Sequence, residues 1–142
     1  MDQQTSLHRN FLLKEEISAY GIDMRTILRS LDAVLAEGAP VPRHDELEDV
    51  TLLLRGHIAL LIPEVLELAW GLPADDAVRC AALAGVREAR RKTGELAGAG
   101  SGLVSAWRYA QQLARVCRAL VHHYGQLQAL GEVSGHVDEG AR

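Results

Sequence analysis

The sequence predicts an all-α domain, an antiparallel four-helix bundle, and three observations carry that prediction. Apolar residues recur at spacings of three and four along nearly the whole chain, and no alternating run is long enough for a strand. Hydrophobic residues make up 48% of the 142, enough for one core without metal or disulfide staples. Six residues are aromatic, so the core is drawn mainly from Leu, Val, Ile and Ala, which suits helices better than sheets.

The elements follow in order. Residues 1–22 read as an N-terminal arm or a short extra helix on Leu7, Phe11, Leu13, Ile17 and Tyr20, ending at Gly21. The bundle domain covers 23–130. Its first helix opens at Asp23, a favoured cap, and carries Met24, Ile27, Leu28, Leu31, Val34 and Leu35 to a stop at Gly38. The second opens in "HDELED", where acidic side chains complement the exposed N–H groups of a helix start. Leu47, Val50, Leu54, Ile58, Leu61, Val65 and Leu68 keep phase across Pro63, so one kinked helix is expected rather than two. The third starts at Asp75 or Asp76, turns Val78, Ala82, Gly85, Val86 and Ala89 inward, and runs into "TGELAGAGSG". The fourth carries Trp107, Ala110, Leu113, Ala114, Cys117, Leu120, Val121, Tyr124 and Leu127. Residues 131–142 have nothing to bury and read as a flexible tail.

Composition narrows the function classes. Cys80 and Cys117 stand far apart with no ligand-spaced partner, which reads as two free thiols in a reducing compartment. The N-terminus has no apolar signal-peptide stretch, and the most apolar window contains Arg55, His57, Glu64 and Glu67; a cytoplasmic protein without a membrane span is expected. Charge is segregated. Residues 44–78 hold 1 basic and 8 acidic side chains, and residues 79–130 hold 8 and 2. The plain expectation is that these two segments lie against each other in the fold.

The second helix has an unusual back. Opposite its core stripe lies the row Leu52, Gly56, Ala59, Pro63, Leu66, Trp70, spaced four, three, four, three, four, with no charge in it. A surface helix ordinarily has one apolar stripe and a polar back. A helix apolar on both sides is expected to be covered on both, by a second copy of the chain, by its own N-terminal arm or by another protein. Gly56 and Ala59 would let a neighbouring backbone come close.

Arg55, His57 and His123 are the candidate ligand-binding residues. The plainer reading of His57 is a partly buried histidine bonded to a neighbouring helix; Glu64 lies two turns away, too far to share an ion with it. His122 and His123 diverge by about 100° on a helix and do not form a metal pair. A metal site would need His57 to meet a fourth-helix histidine, and neither a metal nor a cofactor is expected. Arg108, Arg115 and Arg118, in line with Gln111 and His122, could bind an anion. A net charge of −4 and a lack of interleaved aromatics argue against nucleic acid. No nucleophile is tied to a base, so no catalytic residue is assigned; Asp75 and Asp76 are better read as a helix start, and "GAGSG" has neither the lysine nor the preceding strand of a phosphate loop.

The stretches "LLRGHIALLIPEV", "LPADDAVRCAALAGVREAR" and "YAQQLARVCRALVHHY" resemble an actinobacterial family of small helical proteins of unknown function, over roughly residues 45–127. The "RGH" followed by "LIPEV", and "GVREARR", are the most specific parts. The resemblance implies a soluble helical domain, with service beside transcriptional regulators as one setting, and carries over no activity or ligand. It keeps Arg55 and His57 among the candidate site residues.

The function expected is therefore a non-enzymatic interaction or regulatory module, self-associating as a homodimer through the row from Leu52 to Trp70. The runner-up is a small-ligand or metal-binding bundle centred on Arg55 and His57. The third is anion or nucleic-acid binding through the fourth-helix arginines.

Overall fold

The computed structural model describes residues 22–95 and 102–140, with side chains in the last helix as far as Glu132. Four helices follow one another: α1, Met24–Leu35; α2, His44–Ala69; α3, Ala77–Thr93; and α4, Gly102–Gly140. The described residues contain no strand, and the helices pack on each other as an all-α bundle. The sequence expectations for residues 1–21 fall outside the described residues.

Local chemistry sets the helix starts. The Asp23 carboxylate accepts from the Thr26 backbone N–H at 3.2 Å and from its hydroxyl at 2.6 Å. Glu46 reaches back to the Arg43 N–H at 3.0 Å, and Asp76 accepts from the Arg79 N–H at 3.0 Å. Each satisfies a donor that a helix start leaves without a partner. Gly38, at φ 78°, supplies the left-handed turn after α1.

Chain-neighbouring helices run antiparallel. Ser30 of α1 meets His57 of α2, Arg55 near the middle of α2 meets Thr93 at the end of α3, and Lys92 meets Gln112 in the first third of α4. The α2–α4 pairing is the most extensive, and α4 packs against all three other helices. The core holds Ile27, Leu31 and Val34 of α1 with Leu54, Ile58, Leu61 and Val65 of α2. Ala82, Val86 and Ala89 from α3, and Leu113, Ala114, Cys117 and Leu120 from α4, complete it. Three small or β-branched residues on α3 let its backbone approach its neighbours. Burial of each large aliphatic side chain contributes roughly 1.5–3 kcal/mol.

α2 passes through Pro63 as one helix. The missing N–H leaves the Ala59 carbonyl without its intrahelical donor, and both residues are exposed, so water can reach that carbonyl.

One expectation changes. The tail does not begin at Gly131, because α4 runs on to Gly140. A glycine can end a helix but need not: Gly125 and Gly131 keep negative φ and stay helical. The acidic and basic segments do lie against each other, with α2 packed on α3 and α4, but they form no ion pair with each other among the described residues. The pairs present are local: Arg43 with Asp45 and Glu46, His44 with Glu48, Arg91 with Glu88 and Glu95, and Lys92 with Glu95. The reason is geometric. Four of the six acids of α2 lie in its exposed first turns, while the α4 arginines point away from the core that the two helices share.

Candidate functional site

The back of α2 lies open in the single chain. Leu52 is 70% exposed and Trp70 61%; Gly56, Ala59 and Pro63 are exposed, and Leu66 is half-buried. Leu53 and Leu60 widen the apolar surface along one edge. A Cβ built at Gly56 meets nothing within 4 Å, so the space above it is empty. The described residues therefore cover only the inner side of α2, formed by Leu47, Leu54, Ile58, Leu61, Val65 and Ala69.

Arg55 is held as a clamp. Its Nη1 donates to the Thr93 carbonyl at 2.6 Å, and its Nη2 donates to Tyr109 Oη at 2.8 Å and to the Glu95 carbonyl at 3.3 Å. Tyr109 in turn donates to the Lys92 carbonyl at 2.8 Å. The last turn of α3 leaves carbonyls without helical donors, and a planar cation with forked N–H groups suits them in number and in sign. Burial pushes the Tyr109 phenol above its ordinary range, against the pull of the Arg55 charge. Tyr109 is absent from the sequence candidates. Its spacing to Leu113, Val116 and Leu120, at four, three and four, was the available signal.

His57 faces the opposite flank. It is 8% exposed, and its Nε2 lies 3.2 Å from the Ser30 hydroxyl on α1. Burial lowers its pKa, partly offset by the Asp23 carboxylate. His123 lies elsewhere again, with its imidazole against the backbone of Gly85 on α3: a Cβ at Gly85 would fall 2.8 Å from both Cδ2 and Nε2. Its Nδ1 is buried without a hydrogen-bond partner, and burial and then the neighbouring His122 lower its pKa. The three ligand candidates thus turn to different neighbours, and the structure does not bring them together. No group of three His, Cys, Asp or Glu among the described residues is placed to hold a metal ion.

A cleft of about 440 Å³ lies between the N-terminal half of α2 and the start of α4, lined by Leu47, Leu52 and Ala106 together with His44, Glu48 and Arg55. His57 does not line it. Arg108, Arg115 and Arg118 are exposed on the outer side of α4 and form no ion pair among the described residues.

A family of unknown function (DUF6415) matches residues 25–129. No curated protein and no solved structure matches the chain.

Proposed function

From the premise that this chain belongs to the DUF6415 family, which has no assigned function, we propose a non-enzymatic interaction module that self-associates through the back of α2. One observation carries the proposal: the uncharged row Leu52, Gly56, Ala59, Pro63, Leu66, Trp70 stands open in the single chain, with a large aliphatic and an indole at its ends. An exposed, contiguous apolar surface with no charge inside it favours association over hydration. Two further points support this reading. Arg55 and His57 are occupied by packing contacts on separate flanks, which weakens the small-ligand alternative. No helix among the described residues is long and apolar enough to cross a membrane, so the row does not belong to a membrane span there. The free thiols of Cys80 and Cys117 support placing the module in the cytoplasm.

Light scattering on the full chain tests the proposal. The expected mass is twice the 15.5 kDa of one chain, and Leu66→Glu or Trp70→Glu should return it to the monomer value. A full chain that is monomeric, and stays so when residues 1–21 are deleted, would overturn self-association. A monomer that dimerises only after that deletion would assign the face to the chain's own N-terminus instead.

A further inference from the structure

Resting on that reading, we infer that a second copy of this chain seats its α2 antiparallel on the first, about a two-fold axis level with residue 61. The alternating steps of four and three make the row a seam between two helices. A two-fold axis at residue 61 sets Leu52 opposite Trp70 of the second copy, Gly56 opposite Leu66, and Ala59 opposite Pro63. Each layer then joins a smaller side chain to a larger one. The empty space above Gly56 receives a leucine, and no layer joins two very small groups or two indoles.

The parallel arrangement does the reverse. It stacks Gly56 on its own copy and Trp70 on its own copy, so no single distance between helix axes fills one end without crowding the other. Close packing of facing large and small residues is what gives such an interface its stability.

Charge favours the same orientation. Asp45, Glu46, Glu48 and Asp49 are exposed in the first turns of α2. A parallel pair would set these four acids beside their copies. The antiparallel pair sends them to opposite ends, and residue 49 comes level with residue 73 of the second copy. There the guanidinium of Arg79 is fixed on the Leu72 carbonyl at 2.8 Å. The acidic helix start then lies at the other helix's C-terminal end, where Arg79 stands beside Asp75 and Asp76, and the two helix dipoles oppose. The interface is isologous and closes on itself, giving a dimer rather than a filament.

Disulfide trapping reads the orientation. In a Cys80→Ala background, chains carrying Leu52→Cys and chains carrying Trp70→Cys, with different tags, are mixed, re-equilibrated and oxidised. A disulfide needs Cβ atoms about 4 Å apart. In the antiparallel dimer residue 52 and its own copy are separated by about 27 Å along the axis. The mixed 52–70 product should form, and neither chain should cross-link with itself. Self-cross-linking of each chain without the mixed product would overturn the antiparallel inference while leaving self-association standing. A dimer by light scattering that gives neither product would place the contact elsewhere and overturn both. If the end substitutions dissociate the dimer, Gly56→Cys mixed with Leu66→Cys applies the same test from the middle of the row, with the same outcomes. A monomeric unmodified chain would sink the underlying reading.

Discussion

Arg55 and Tyr109 are joined by a 2.8 Å hydrogen bond, and together they close the end of α3 by binding the carbonyls of Thr93, Glu95 and Lys92. This gives the "RGH" arginine a structural task that links three helices. Arg55→Ala should destabilise the fold by about 2 kcal/mol, in the range for hydrogen bonds to a charged group. Arg55→Lys should restore little of it, because an ammonium cannot span carbonyls as a planar fork does. Tyr109→Phe should cost about 1 kcal/mol, and denaturant titration of the double variant should show the two losses to be non-additive. Its partners are carbonyls and a hydroxyl, so the effect should persist in high salt. Full additivity would mean that the two side chains act independently.

The pH dependence should come from histidines. His57 and His123 both have pKa values lowered from the ordinary 6.5, by burial first in each case. The folded state therefore prefers the neutral ring, and the unfolded chain binds more protons below about pH 6.5. The stability these rings contribute is present above that pH and is lost as pH falls through the folded-state values. Melting temperature should drop between pH 7 and pH 5, and His57→Gln, which can still bond Ser30, should flatten part of the slope. A melting temperature that rises on acidification over that range would contradict the burial of both rings.

The bundle was legible because each core stripe keeps its period and three of the four helix starts carry a capping acid. Asp23, Glu46 and Asp76 all cap as their positions suggest. The end of α4 was not legible at Gly131, because a glycine permits a turn without requiring one. The open row on α2 was also legible, since it needs only one helix and its period. The Arg55 clamp was not. It joins residues about forty and fifty apart in sequence through backbone carbonyls, and carbonyls leave no mark on a sequence. For the same reason His57, Arg55 and His123 looked like one candidate site, although helix rotation turns them to separate neighbours.

Gly85 and His123 make a complementary pair. With only 2.8 Å between a Cβ at position 85 and two atoms of the imidazole, Gly85→Ala must push the ring aside. Alanine ordinarily gains about 1 kcal/mol over glycine inside a helix. Overpacking here should cost about 1–3 kcal/mol, giving a variant no more stable than the parent. The decisive quantity is the coupling: in a His123→Ala background the same Gly85→Ala change should become stabilising. If Gly85→Ala stabilises equally in both backgrounds, the ring does not rest on the glycine as described.

The two thiols should separate sharply in reactivity. Cys117 is fully buried on α4 among the residues that face α2 and α3, and burial pushes its pKa up to about 12. At pH 8 almost none of it is thiolate, and a reagent has no path to it without opening the core. Cys80 is exposed at the start of α3, its Sγ 3.7 Å from the Ala74 carbonyl. A disulfide reagent at pH 8 should titrate one thiol per native chain promptly, and none in Cys80→Ala. The second thiol should react only as fast as the bundle opens, so its labelling rate should slow in any variant that stabilises the fold and match the full count at once in denaturant. Two prompt thiols in the native protein would show that α4 leaves its core position far more often than close packing around Cys117 permits.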